Sequence, residues 1–374
     1  WITVQPHFHD LVVATYGRGF WILDDVSALE PLDATALAGK AFFFAPRSAY
    51  RFRGGQGITD APNSAVTAEN APYGADLDYL LPAALADTSA SPDTTHRRRP
   101  IRLTITDASG ALVRTLEGTR KLGINRVWWD LRWNAPAVAR LRTPPPGKSF
   151  VRVGPDGTRP LVAWDLDLSE RGPLVLPGTY TVKLALGDTT LTQTVTVLKD
   201  PNSAGTEADV QAQSALALTI RGEQDSVVRM INRLEWVRKQ LEDLSGQLHA
   251  DSALAGDSAA RRFASRADSL DKQAIAVEGA LFDVHLTGAR EDPFRTPTQL
   301  FGRLAALQSD VAENSADFAP TAQQVAVNDL FKQRIADAST RFAELMDKDV
   351  PAFGSALGKA GLKDVIARTI DTGR

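Results

Sequence analysis

Asp10-Leu-Val-Val-Ala-Thr-Tyr-Gly-Arg-Gly-Phe-Trp-Ile-Leu-Asp-Asp25 is the stretch from which the rest of the chain is read. Two short apolar runs, Leu11 to Thr15 and Phe20 to Leu23, flank Tyr16-Gly17-Arg18-Gly19, the pattern of a tight β-hairpin. Successive strand side chains face opposite ways. Leu11 and Val13 therefore oppose Val12 and Ala14, and Phe20 and Ile22 oppose Trp21 and Leu23. Both faces are apolar and need cover, and a lone hairpin is marginal in water. Residues 1–32, with Trp1-Ile2-Thr3-Val4 as a further strand, are expected to be the severed edge of a larger β-structure.

At 374 residues, with 43% hydrophobic and 23% charged residues, the chain is long enough for two or three globular domains. A formal charge of −3 gives no global attraction to nucleic acid or anionic membrane. No run of about 18 apolar residues is present, so no membrane span is expected. The absence of cysteine excludes disulfides and thiol chemistry.

Residues 33–74 read as connector and loop. Within them Phe42-Phe43-Phe44 places adjacent rings on opposite faces, a segment wedged between two layers. Arg51-Phe52-Arg53-Gly54-Gly55 is too poor in aromatics for a nucleic-acid platform and reads as surface loop. From residue 75 the period is two: Ala75, Leu77, Tyr79 and Leu81 alternate with Asp76 and Asp78, which predicts one dry face and one wet face. Strands follow at Ile101 to Asp107, Leu112 to Leu116, Gly123 to Arg132, Tyr180 to Leu186 and Leu191 to Leu198. Trp128 and Trp129 cannot share a face, so one of them joins the core. Residues 75–200 thus read as an immunoglobulin-like antiparallel β-sandwich, interrupted at 134–176 by a long excursion that hints at an interdomain contact.

After Pro201 the period becomes helical, with Thr206 as N-cap and Glu207 and Asp209 in the first turn. Ile220, Val227, Leu234, Leu241 and Leu248 recur every seven residues, a heptad seam. Further helices are expected at about 258–286 (Phe263, Leu270, Val277, Val284), 298–318 (Leu300, Leu304, Leu307, Val311) and 321–348 (Val325, Phe331, Ile335, Phe342, Leu345). Residues 205–349 read as an antiparallel four-helix bundle, and 350–374 as a C-terminal tail with one more amphipathic turn around Leu362, Val365 and Ile366. The fold class is therefore multidomain, β followed by α.

Signatures of chemistry are few. Zinc-helix, nucleophile-elbow and dinucleotide fingerprints are missing, and Pro146-Gly147-Lys148-Ser149 lacks the glycines of a phosphate loop. His7, His9 and Asp10 are weak metal-ligand candidates, against a reading as polar residues at a sheet edge. Arg18, held between glycines, is a candidate for a carboxylate or glycan oxygen, or equally for a structural ion pair. Trp21 is a candidate sugar-stacking ring, although an aromatic in a two-sided apolar strand is usually core. Asp24 completes the ligand-binding candidates; Asp24 and Asp25 point to opposite faces and make a poor acid/base couple, a strand-ending cap being the plainer role. Arg97-Arg98-Arg99 reads as a solvated loop. No cofactor and no catalytic residue is assigned.

The run from Leu11 to Asp25 resembles the last blade of bacterial sortilin-like, BNR-repeat β-propeller proteins, many of which carry the label glycosyl hydrolase. Asn70-Ala71-Pro72-Tyr73-Gly74-Ala75, Gly123 to Arg132, Pro177-Gly178-Thr179-Tyr180-Thr181-Val182, Glu291-Asp292-Pro293 and Asp349-Val350-Pro351-Ala352-Phe353 resemble the same family. The propeller's Ser-x-Asp-x-Gly-x-Thr-Trp box does not occur. The resemblance implies a non-catalytic C-terminal accessory region of a secreted or periplasmic protein. Residues 1–32 would close the propeller against blades N-terminal to this chain, and the remainder would brace it and bind protein or polysaccharide. The alternative it implies is the closing segment of a propeller glycoside hydrolase whose active site lies upstream.

Overall fold

The structure is a computed structural model that describes residues 1–32, 39–53, 70–87, 100–161, 171–250, 258–289, 291–313 and 316–362. The chain separates into two compact units, Trp1–Asn134 with Pro173–Gly205, and Ala135–Gly172 with Thr206–Arg374. The first is β and the second mainly helical.

In the first unit, β1 (Ile2–Gln5), β2 (Asp10–Ala14) and β3 (Phe20–Leu23) form an antiparallel sheet with β2 in the centre. Its tip is the predicted tight connection, in which Gly17 and Gly19 take positive φ (86° and 71°) and the Thr15 amide donates to the Gly19 carbonyl at 3.0 Å. The segment called a connector contributes two short strands, β4 (Phe42–Phe43) and β5 (Ala49–Arg51). They join β6 (Ala75–Leu81), β7 (Ile101–Thr106), β8 (Leu112–Gly118), β9 (Gly123–Trp129), β12 (Gly178–Leu186) and β13 (Thr189–Lys199). Between β9 and β12 lie the two-residue strands β10 (Arg140–Leu141) and β11 (Arg159–Pro160), which pair with each other in the second unit. One sheet has the order β5-β13-β12-β7-β8, with β5 parallel to β13, and another has the order β4-β6-β9. Leu77, Tyr79, Ile101, Leu103, Ile105, Trp129, Val182, Leu184 and Val195, drawn from both sheets, share one apolar core. Of the paired tryptophans, Trp129 is fully buried against Tyr180, while Trp128 is half-buried under the Arg126 guanidinium. Phe43 joins this core and Phe44 a second, smaller cluster with Ala28 and Leu80, so the adjacent rings do serve two layers. Gly74 has φ +129°, and a Cβ there would lie 2.0 Å from the Trp129 carbonyl oxygen, so both the backbone conformation and the close approach require glycine.

One expectation fails at β6. All seven of its residues are buried, Asp76 and Asp78 included, so the strand has no wet face. The carboxylates are covered because two arginines distant in sequence meet them, as set out below.

The second unit is built on α1 (Glu207–Ala250), α2 (Ser258–Leu281), α4 (Leu300–Gln308) and α5 (Ala322–Glu344), with a short α3 (Asp292–Arg295) before α4. Thr206 caps α1: the Asp209 amide donates to its hydroxyl oxygen at 3.1 Å while the Thr206 amide donates to the Asp209 carboxylate at 2.9 Å. The α1 seam Ile220, Val227, Leu234 and Leu241 lies in one core with Leu270, Val277, Leu304, Phe331 and Phe342. Val325, expected in that core, is exposed. After α5 the helix does not end. It widens through a π turn, Leu345–Asp349, and continues as α6 (Val350–Lys359), whose Val350, Phe353 and Leu357 enter the core. Pro351 has no N–H for an unbroken α ladder, and the change of register falls just before it. Most of the tail's amphipathic turn, Val365 and Ile366, lies outside the described residues.

The excursion after β9 groups with the helices because α1 satisfies its backbone. The Asp225 carboxylate accepts from the Ala137 amide (2.6 Å), Asn232 bonds the Arg140 amide (2.7 Å) and the Val138 carbonyl (3.0 Å), and Glu235 accepts from the amides of Arg142 and Thr143. These side chains replace the water that an extended segment would otherwise bind.

Thr321 and Gln324 form a reciprocal capping box at the start of α5. Thr321→Ala is expected to cost about 1 kcal/mol of stability, read as a lowered urea midpoint with unchanged slope.

Candidate functional site

The β1–β3 sheet stands apart from the rest of its unit in one respect. Among the described residues, no side chain of β1, β2 or β3 belongs to a hydrophobic cluster. Every residue of β3 is exposed, Phe20 at 76% and Trp21 at 64%, and Ile2 and Val4 are exposed on β1. Since Phe20 and Ile22 face one way and Trp21 and Leu23 the other, both faces are bare. Among the described residues both outer strands pair only with β2, so each leaves an edge unpaired there. Large exposed apolar patches are uncommon on soluble monomers, so this surface needs an explanation. The expectation that Trp21 is core is not met: it is 64% exposed, and no hydrophobic cluster of the described residues includes it.

At its base the sheet is held by charge. Asp25 follows β3 with φ 44°; its amide donates to the Asp10 carboxylate (3.0 Å), and its own carboxylate accepts from the Ser27 amide (2.9 Å) and from Arg47 Nε (2.8 Å). Arg126, on β9 directly opposite Asp78 of β6, gives that carboxylate a bidentate bond from Nε (2.9 Å) and Nη2 (2.8 Å). Its remaining donors reach the carbonyls of Asp24 (2.9 Å) and Asp25 (2.7 Å). Arg47 also lies over the Phe8 ring at 5.2 Å, and Phe8 meets Tyr50 edge to face. The Val26 amide closes the arrangement by donating to the His9 carbonyl at 2.9 Å.

Asp76 completes this cluster. It is 3% exposed, and its oxygens lie 3.7 Å from Arg47 and 3.7 Å from Arg126, beyond hydrogen-bond length. Burial, then a hydrogen bond to Asp25 and the charge of Asp25, push its carboxyl up to about 7 against the pull of both arginines. Burial works to raise Asp25 as well, but bonds from Ser27 and Asp76 and the Arg47 charge outweigh it and hold that carboxyl below its ordinary value. Asp25, Asp76 and Asp78 line a cleft of about 180 Å³, counted out to open solvent, with Ser27, Ala28, Phe44, Ala45 and Pro46.

The ligand-binding candidates read from sequence are spread along the hairpin rather than gathered. Arg18 is exposed at the tip, Trp21 is exposed in mid-strand, and Asp24 at the base is half-buried with its carbonyl bonded to Arg126. His7 packs on Phe8 and Tyr50, His9 Nδ1 contacts Glu30 at 2.9 Å, and Asp10 holds the Asp25 amide. They are not placed as ligands to one ion; among the described residues no group of three His, Cys, Asp or Glu side chains is placed to hold a metal. No helix among the described residues is long and apolar enough to cross a membrane. Arg97-Arg98-Arg99 and the loop glycines Gly54 and Gly55 lie outside the described residues.

The helical unit has an apolar cleft of about 330 Å³, counted out to open solvent, lined by Leu161, Phe282, Leu286, Phe301 and Gly302. Its one carboxylate, Asp283, is already bonded by the His285 amide and the Thr296 hydroxyl. Polar groups do not converge there as a ligand site needs.

Compared with known proteins, the chain matches no family model, no curated sequence and no solved structure.

Proposed function

We propose that this chain is a non-catalytic accessory and interaction region of a secreted or periplasmic β-propeller protein of the sortilin-like, BNR-repeat kind. In this reading β1–β3 is the closing part of a blade that packs against neighbouring blades. The β unit is an immunoglobulin-like sandwich and the helical unit a four-helix bundle, which together brace the propeller and offer surface to a protein or glycan. The observation that carries the reading is the bareness of both faces of the β1–β3 sheet. A propeller blade is a four-stranded antiparallel sheet covered on each face by the next blade. Three meandering strands with apolar side chains on both faces and an open edge match such a blade awaiting its neighbours. The occupant is therefore blade-like β-structure, which explains why both faces are apolar where a peptide groove would need only one.

The test is the triple variant Phe20→Ser, Trp21→Ser, Ile22→Ser in the full chain. Exposed positions outside a core change stability by roughly 0.5 kcal/mol or less each. The urea midpoint of the β unit is expected to stay near that of the parent, while binding of a hydrophobic dye falls severalfold. A collapse of the midpoint, or unchanged dye binding, would show that these side chains serve the fold of this chain rather than a partner.

A further inference from the structure

Three carboxylates meet two arginines at the base of the sheet. Arg126 is committed to Asp78 and to two backbone carbonyls, and Arg47 to Asp25. Asp76 is left over. Both of its oxygens are buried and receive no N–H or hydroxyl from the described residues, so that the one bond open to it is a shared proton with Asp25, and Asp76 lines the cleft with Asp25 and Asp78. The groups that face it are Asp25 from that segment, Arg47 from between β4 and β5, Arg126 from β9, and Asp78 on its own strand. Three negative charges against two positive leave one uncompensated charge in a buried place, and a proton is the smallest species that removes it. A protonated Asp76 also gains a role: its O–H donates to Asp25, the bond that neither carboxylate can make while both are ionised.

We propose that Asp25 and Asp76 form a proton-operated latch, in which one shared proton holds residues 25–28, and the sheet they carry, on β6, and its loss weakens that hold. The latch stands on the cluster alone and does not depend on what covers the sheet.

The direction follows from linkage. Asp76 in the closed state takes up its proton at about pH 7, far above an open-state carboxyl near 4. Closed molecules therefore hold the extra proton between about pH 4 and 7. The hold is strongest at the acid end of that window, weakens as pH rises through it, and is level above pH 7. Asp25, held below its ordinary value, contributes with the opposite sign, but only under about pH 4.

Hydrogen exchange in the full chain tests the latch. The amides of Asp25 and Val26, bonded to Asp10 and His9, report its opening, and amides of the β12–β13 pair report the integrity of the same unit. After correction for intrinsic exchange, protection at Asp25 and Val26 is expected to be at least about tenfold weaker at pH 7.5 than at pH 5, with β12–β13 unchanged. In Asp76→Asn a side-chain N–H replaces the shared proton, and protection should be level across the range. If that variant loses β12–β13 protection, Asp25→Asn makes the same test, since its amide donates to Asp76. Level protection in the parent, or an unchanged pH dependence in both variants, overturns the latch. So does restoration of protection at pH 7.5 by added magnesium or potassium chloride at constant ionic strength, which would mark the cleft as a cation site.

Discussion

Arg238→Met is expected to destabilise the helical unit by about 3–5 kcal/mol, the cost of leaving buried carboxylates without their cation. Arg238 is 2% exposed and donates to Glu278 (2.8 Å), Glu235 (3.1 Å) and Asp271 (2.9 Å), with Glu242 at 3.6 Å. Glu235 and Glu278 are fully buried. Glu235 is bonded by Arg142, Thr143 and Arg238, so its charge is distributed over several donors. Among the described residues Glu278 has only Arg238, and one of its oxygens has no partner there. Burial, then the charge of Glu235, already push the Glu278 carboxyl well above its ordinary value in spite of Arg238. Without the guanidinium it would rise further. The loss should therefore be largest at neutral pH and smaller at pH 5, where the folded state takes up a proton. Urea unfolding followed by far-ultraviolet circular dichroism measures both. A cost under about 1 kcal/mol, or one that grows on acidification, would contradict this account of the cluster.

Arg126→Met should have the second largest effect, about 3 kcal/mol in the β unit. The variant leaves Asp78 without its bidentate partner and removes both donors that hold the carbonyls of Asp24 and Asp25. Two readouts should therefore move together: the midpoint of unfolding, and hydrogen-exchange protection of residues 24–26. If protection at 24–26 survives while the midpoint falls, Arg126 supports only the β6–β9 pair and not the base of the sheet.

These residues mark the boundary of what the sequence made legible. The strand over 75–81 is visible in its alternation and appears at those residues, and the seven-residue repeat of α1 lies in the core as its spacing implies. Period alone cannot say whether a polar face is wet. Asp76 and Asp78 are buried because Arg126 lies 48 positions beyond Asp78 and Arg47 lies in a segment that reads as connector. The nearest signal was the pairing of an aspartate-bearing strand with an arginine-bearing one, which becomes specific only once the register Asp78 to Arg126 is known. Likewise, Asp225, Asn232 and Glu235 look like the solvated side of α1 until the segment they bond, 137–143, is placed beside them. The fourth helix reads as ending near Lys348 with a tail beyond it, yet a π turn carries the chain on into α6. The hairpin itself was legible, its two runs pairing about the glycine connection with apolar side chains on both faces, whereas the exposure of Trp21 was not, because an aromatic in such a strand reads as core.

The measurement that bears most directly on that need is hydrogen exchange at β1 and β3, made on this chain and on the contiguous polypeptide encoded with whatever precedes Trp1. On the proposal made above, the outward amides of Ile2–Gln5 and Phe20–Leu23 should exchange rapidly here and at least about a hundredfold more slowly wherever blade-like strands pair with and cover the sheet. Equal rates in the two would contradict the proposal that this sheet is built to be covered by neighbouring blades.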